Sequence, residues 1–219
     1  MTEKLHRISV GSSGHVSAIA GEPESSSSDW QFIYAPGAGS NVNDPFGRYI
    51  CSFLASCGVM AVRFQFPYSE AKRSRPDPNA VLEQTWRAMI EKFRPQKGKL
   101  VIGGRSMGGR IASQVAAQGA PVDALAIFAY PLLPLGQDRK RDEHFQRISI
   151  PTLFCSGTRD AYATLQQLQQ AAASIPKAAV HRLEGADHGF SVLKSSGRSR
   201  EDVWVEAAGA FWNWLKALE

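Results

Sequence analysis

Three residues in this chain have the chemistry needed for acyl transfer: a serine to attack a carbonyl, a histidine to take its proton and an aspartate to steady the resulting imidazolium. Ser106 is the centre of Gly104-Arg105-Ser106-Met107-Gly108, a match to G-x-S-x-G. Asp160 ends Ser156-Gly-Thr-Arg-Asp160, and His188 lies in Glu184-Gly-Ala-Asp-His188-Gly-Phe190. Taken alone, the serine pattern also reads as a glycine-rich turn packing a helix onto a sheet. The placement of the acid and the histidine decides between the two.

The elements around these residues are legible from apolar periodicity. Leu100, Val101 and Ile102 form a short buried-strand pattern, and Ile111, Ala112, Val115 and Ala116 recur at helical spacing, so Ser106 falls on a strand-to-helix turn. On such a turn the hydroxyl projects out of the sheet. Flanking glycines remove side chains that would clash, and the Met107 N–H points to the same space as one oxyanion donor. A strand at 31–35 runs into Pro36-Gly37-Ala38-Gly39-Ser40, whose Ala38 N–H is the expected second donor. Dinucleotide binding would need glycine where Val42 stands, and a P-loop would need lysine where Gly109 stands.

Further strands are predicted at 59–64, 124–129, 151–155 and 179–183. Helices are predicted at 45–56, closed by Gly58, at 80–93, capped by Asn79, and at 165–173. A last helix at 201–218 is expected to bury Val205, Ala208, Phe211, Trp212 and Leu215. Ile8 and Val10, then Val16 and Ala18, alternate around Gly11-Ser-Ser-Gly14 and predict an antiparallel hairpin, followed by a polar serine-rich loop at 21–29. The fold class is therefore α/β, with a mostly parallel central sheet, helices on both faces and a single domain over 1–219. Asp160 and His188, like Ser106, directly follow predicted strands, where the loops of such a sheet converge.

Composition narrows the function. A chain of 219 residues, 43% hydrophobic, fills one core, and it has neither an apolar run long enough to span a bilayer nor a signal-type hydrophobic centre. No membrane partner and a cytoplasmic location are the expectations. Cys51, Cys57 and Cys155 lack metal-type spacing and are expected as free thiols; no metal and no cofactor is expected. The net charge of +5 comes largely from clusters at 72–75, 139–141 and 194–200, without the interleaved aromatics of a nucleic-acid stripe, so no nucleic-acid partner is expected. Composition leaves the oligomeric state open.

Ser106, Asp160 and His188 follow the chain order of α/β-hydrolases. The chain resembles that superfamily, in particular its compact members related to dienelactone hydrolase. Gly103-Gly-Arg-Ser-Met-Gly-Gly109, Tyr130-Pro-Leu, Asp142-Glu-His144 and Gly157-Thr-Arg-Asp160 are similar to a group that includes a testis-expressed protein and a subunit of the NSL histone-acetyltransferase complex. The resemblance spans residues 32–215. It implies Ser106 as nucleophile, His188 as base, Asp160 as orienting acid, and Met107 and Ala38 as oxyanion donors. Two departures stand out. Pro36 replaces the histidine usual before the loop glycine, and Ala161-Tyr162 replaces a proline- or glycine-bearing turn after the acid.

The expected partner is a small-molecule ester or thioester. Tyr68, Tyr130, Leu132, Tyr162 and Phe190 follow strands and are expected to surround the serine, although the same positions suit a core. The connection at 132–147 is short and polar, too small for a helical lid. Asp187 reads as a turn former, and His6, His15 and His181 as structural or exposed. On spacing His144 is an exposed loop histidine, while the family match opens a pocket role for it. Arg105 and Arg110 suit either an anionic substrate or, more simply, salt bridges bracing the turn. Two other readings of the whole chain are a non-catalytic interaction module on the same fold and a basic RNA-associated domain.

Overall fold

The computed structural model describes all residues except Met1, Ser26, Ser27, Leu135, Gln137 and Asp138. Parts of the serine-rich loop and of the 132–147 connection thus lie outside the described residues. The strands β1 (Thr2–Ser9), β2 (His15–Glu22), β3 (Trp30–Ala35), β4 (Met60–Phe64), β5 (Lys99–Arg105), β6 (Ala124–Phe128), β7 (Thr152–Gly157) and β8 (Ala178–Leu183) form one sheet. Their order is β1-β2-β4-β3-β5-β6-β7-β8. β2 runs antiparallel to both β1 and β4, and every other pairing is parallel.

Alternation along the parallel strands divides two cores. Ile33, Leu100, Ile102, Leu125, Ile127 and Phe154 face one side, while Phe32, Tyr34, Val101, Phe128, Leu153 and Cys155 face the other. The first side is covered by α3 (Asn79–Phe93), α4 (Met107–Ala117) and α5 (Leu165–Ala172). The second is covered by α1 (Pro45–Ser56) and α6 (Arg200–Lys216). There Phe46 meets Phe128 and Phe190 edge-on, each with centroids 5.1 Å apart, and Phe211 meets Phe32 at 5.0 Å. Edge-to-face pairs of this kind add roughly 0.5–1.5 kcal/mol each beyond the area they bury.

Two local expectations need correction, and one element was not foreseen. The buried stripe of α6 is Val203, Ala207, Ala208, Phe211 and Leu215, whereas Val205 is exposed and Trp212 only half-buried. Tryptophans at 204, 212 and 214 are apolar on more than one face, which blurs the phase of the helix. Asn79 does not cap α3: it is the first helical residue, and its side-chain oxygen accepts from Arg110. A short helix not foreseen, α2 (Pro67–Glu70), follows β4, with proline at its first position.

The hairpin is fastened by more than its ladder. Arg63 on β4, almost wholly buried, donates through Nε to the Val42 carbonyl at 3.0 Å and through its two terminal nitrogens to the Glu3 carboxylate at 2.8 and 3.0 Å. The ion pair and Arg48 hold the Glu3 carboxyl below its ordinary range. One guanidinium therefore joins β1 to the loop that leaves β3.

Candidate active site

The parallel register brings five strand ends to one edge of the sheet. Ala35 pairs with Gly104, Arg105 with Phe128, Phe128 with Cys155, and Gly157 with Leu183. The loops leaving β3, β5, β7 and β8 carry Ala38, Ser106, Asp160 and His188.

Ser106 turns the chain from β5 into α4 with φ 51° and ψ −117°. This conformation is strained for a residue with a Cβ and costs on the order of 1–3 kcal/mol. Its N–H donates to the Phe128 carbonyl at 2.8 Å, and its carbonyl accepts the Arg110 N–H at 2.9 Å. The turn fits only because of what its neighbours lack. A Cβ on Gly104 or Gly108 would lie 2.1 or 2.2 Å from the Ala35 carbonyl oxygen. Gly108→Ala is expected to lower unfolding free energy by about 3 kcal/mol, since rigid backbone blocks the added methyl. A denaturant midpoint shift at unchanged slope checks this.

The Ser106 hydroxyl and the His188 ring form one hydrogen-bonded line with Asp160. His188 Nε2 is 2.9 Å from Ser106 Oγ, and Nδ1 is 3.0 and 2.9 Å from the two carboxylate oxygens of Asp160. The Asp160 side chain is fully buried, while the His188 side chain keeps 23% of its surface exposed. Asp160 Oδ1 also accepts the Tyr162 N–H at 2.8 Å, which fixes the carboxylate's rotation. The Tyr162 ring lies against the imidazole with centroids 4.3 Å apart. The departure at 161–162 thus supplies a wall for the histidine. Asp187 faces elsewhere: its Oδ1 accepts the N–H groups of Gly189 and Ser191, each at 2.8 Å, as a turn former does.

Beside the serine, the N–H groups of Met107 and Ala38 have no partner among the described residues, and both residues line the cleft. Met107 begins α4, where the helix dipole adds partial positive charge. The Ala38 loop is braced without the expected histidine. Gly39 N–H donates to the Tyr68 hydroxyl at 3.2 Å, and Asp44 gathers the loop's far end. Asp44 accepts from Tyr34 Oη at 2.6 Å, from Ser40 Oγ at 3.1 Å and, as the N-cap of α1, from Gly47 N–H at 2.9 Å. Arg105 reaches the same carboxylate at 3.7 Å, the brace expected of it.

The cleft holds about 480 Å³. Of the residues expected around the serine, Tyr162 lines it. Tyr68, Tyr130, Leu132 and Phe190 do not: all four are essentially buried in the core. Tyr130 packs on Phe145 and Phe154, and Phe190 on Phe46. An aromatic residue after a strand carries the same sequence signature whether it turns inward or toward the cleft. The lining instead includes Pro76, Asp77, Asn79, Arg110 and Arg141 from distant loops, the start of α3 and α4. Arg110 stands four residues beyond Ser106, a spacing visible in the sequence, and its N–H closes the first turn of α4 on the Ser106 carbonyl. It forms no salt bridge among the described residues, contrary to its expected bracing role. Cys51 and Cys155 are buried free thiols away from this cleft, with burial raising both pKa values, that of Cys51 to about 12.

His144 is buried, not exposed. Its Nε2 lies 2.7 Å from Ser113 Oγ, and that hydroxyl donates to the Arg110 carbonyl at 2.7 Å, so the imidazole must be the donor in the first bond. It borders a separate depression with Arg139, Lys140 and Arg141. Burial, with Arg147 and Arg110 nearby, lowers its pKa from 6.5 to about 4. The unfolded chain therefore binds this proton below pH 6.5 while the folded chain resists until about pH 4. Stability is full above the upper value and falls as pH drops through the window. His144→Gln is expected to remove about 1.5 kcal/mol of the destabilisation seen between pH 7 and pH 5, measured by urea unfolding at both.

A family model for the alpha/beta hydrolase domain matches residues 28–216. Among solved structures, the chain is similar to an a/b serine hydrolase without a lid from Xanthomonas campestris, at 17% identity over 98% of this chain and 95% of that one, with a TM-score of 0.76. It is similar to an alpha-beta serine hydrolase homologue from Coxiella burnetii, at 20% identity over 96% and 98%, with a TM-score of 0.74. A dienelactone hydrolase from Anabaena variabilis matches at 19% identity over 97% of each chain, with a TM-score of 0.74. At these identities the likeness concerns the fold. The family match, over a mostly parallel eight-stranded sheet with a serine at the turn from β5 to α4, makes this chain a member of the alpha/beta hydrolase family.

Proposed function

We propose that this chain is a serine hydrolase cleaving small ester or thioester substrates through an acyl-enzyme on Ser106. The observation that carries the reading is the unbroken Ser106–His188–Asp160 line of hydrogen bonds opening onto the cleft. His188 Nε2 takes the hydroxyl proton as Ser106 Oγ attacks the carbonyl carbon, and the buried Asp160 carboxylate stabilises the imidazolium. The N–H groups of Met107 and Ala38 receive the oxyanion, a pair whose members are each worth about 3 kcal/mol in the transition state. Collapse expels the alcohol or thiol, which leaves with the proton from His188. A water deprotonated by the same nitrogen then cleaves the acyl-serine and regenerates the hydroxyl.

Within the family, the motif around Ser106 and Asp142-Glu-His144 favour placement near the testis-expressed and NSL-subunit group. The chain acts as a single domain over 1–219, in the cytoplasm, without metal or cofactor. Among the described residues no helix is long and apolar enough to cross a membrane. The test is intact-mass spectrometry after exposure to a fluorophosphonate. One adduct on the native chain, absent from Ser106→Ala, is expected; a folded native chain that stays unlabelled would overturn the reading in favour of an interaction module.

A further inference from the structure

The cleft beside Ser106 carries more positive charge than the proposed reaction requires. Arg105, Arg110 and Arg141 line it, and Asp77 is the one carboxylate among the other lining residues. Asp77 is already engaged: its oxygens accept the Tyr68 N–H at 2.7 Å and Arg73 at 2.5 Å. Arg105 has Asp44. Arg110 and Arg141 have no acidic partner among the described residues.

Arg110 is held like a binding group. Its terminal nitrogens touch only neutral oxygens, Asn79 Oδ1 at 3.2 Å and Gln114 Oε1 at 3.3 Å, both long contacts. Its Nε is buried with no acceptor. Glu83 acts on it from a distance while accepting from Gln118 at 3.0 Å. Burial and the neighbouring Arg141 draw its pKa down, the signature of a cation that lacks its counter-charge. A desolvated guanidinium with an unused donor is costly to maintain and gains most from a planar bidentate acceptor.

We infer that Arg110, assisted by Arg141, forms a carboxylate subsite in the Ser106 cleft and selects esters whose acyl part carries a terminal carboxylate. The inference rests on the proposed serine-hydrolase reading and names its substrate class. Arg110 follows Ser106 by four residues and lines the same cleft, so a short acyl chain is the one that can carry an anion from the scissile carbonyl to its fork. Half-esters of short dicarboxylic acids have such a chain.

The test compares mono-4-nitrophenyl glutarate with 4-nitrophenyl valerate, equal in chain length and differing in charge. The native chain is expected to favour the glutarate in kcat/KM, and Arg110→Gln to lower the glutarate-to-valerate ratio about 10- to 100-fold, with Arg110→Lys restoring part of it. Arg182→Gln, the same charge change at a residue outside the cleft lining, is expected to leave the ratio and the basal rate unchanged. A second arm needs no turnover: calorimetry of monomethyl glutarate, methyl valerate and inorganic phosphate on Ser106→Ala, with and without Arg110→Gln. Binding of monomethyl glutarate alone, lost with Arg110, supports the subsite even if no ester is hydrolysed, an outcome that would sink the hydrolase reading by itself. Ester turnover with a ratio near one that Arg110→Gln leaves in place overturns the subsite and spares the hydrolase. Phosphate binding more tightly than the half-ester overturns the carboxylate assignment.

Discussion

Ser106→Ala is expected to abolish acyl-enzyme formation and to lower ester turnover by about 10⁴- to 10⁶-fold, with the fold intact. The fold should survive because the hydroxyl's one partner among the described residues is His188 Nε2, at a half-buried position where water can replace it. Alanine keeps the Cβ and hence the strained φ of 51°, so stability should change by no more than about 1 kcal/mol. Ser106→Gly separates the two roles of the residue. It loses turnover equally, yet relief of the left-handed strain should raise stability by about 1 kcal/mol after the entropy of glycine is offset. Burst kinetics with a 4-nitrophenyl ester and thermal unfolding read both quantities. Turnover retained in the alanine variant would remove Ser106 from the chemistry.

Asp160→Asn is expected to lower kcat by about 10³- to 10⁴-fold with little change in KM, on the scale known for serine proteases when the same change is made. The direction follows from Tyr162. Its N–H demands an acceptor at the Oδ1 position, so the asparagine amide must place its NH₂ where Oδ2 now faces His188 Nδ1. Nδ1 faces that NH₂ as closely as it faces Oδ1, so accepting from the amide competes with donating to Oδ1, and the accepting tautomer carries the imidazole proton on Nε2. A histidine protonated at Nε2 cannot take the proton of Ser106. Steady-state kinetics should therefore read the loss in kcat, with KM close to that of the native chain. An unchanged kcat would mean that Asp160 does not orient the base.

The three residues of the proposed triad could be picked out before any coordinates because each stands where an apolar run stops and turn residues start, and that junction leaves a local mark. The sheet was legible for the same reason, since runs such as 32–35 and 100–102, apolar at every position, mark strands covered on both faces. The cleft wall was not. Asp77, Asn79 and Arg141 reach Ser106 through the packing of α3 and the loop after β6, a long-range arrangement with no local signature. Tyr68 and Phe190 stood after strands as expected, but the space beneath them was already needed by the core. The phase of α6 failed because Val205 and Trp212 are as apolar as the residues that are buried.

The Arg63 clamp gives the N-terminal hairpin a task that its position outside the matched residues 28–216 conceals. A chain begun at residue 28 would keep every group of the proposed triad and still be a poor protein. β4 would lose the ladder from Ala18 to Gly21 and present an open row of backbone donors and acceptors, a template for adding strands from other molecules. Arg63 would keep its buried guanidinium without Glu3. The hairpin is thus a guard against self-association as much as a part of the sheet, and solubility, rather than catalysis, is the property that sets the shortest useful length of this chain.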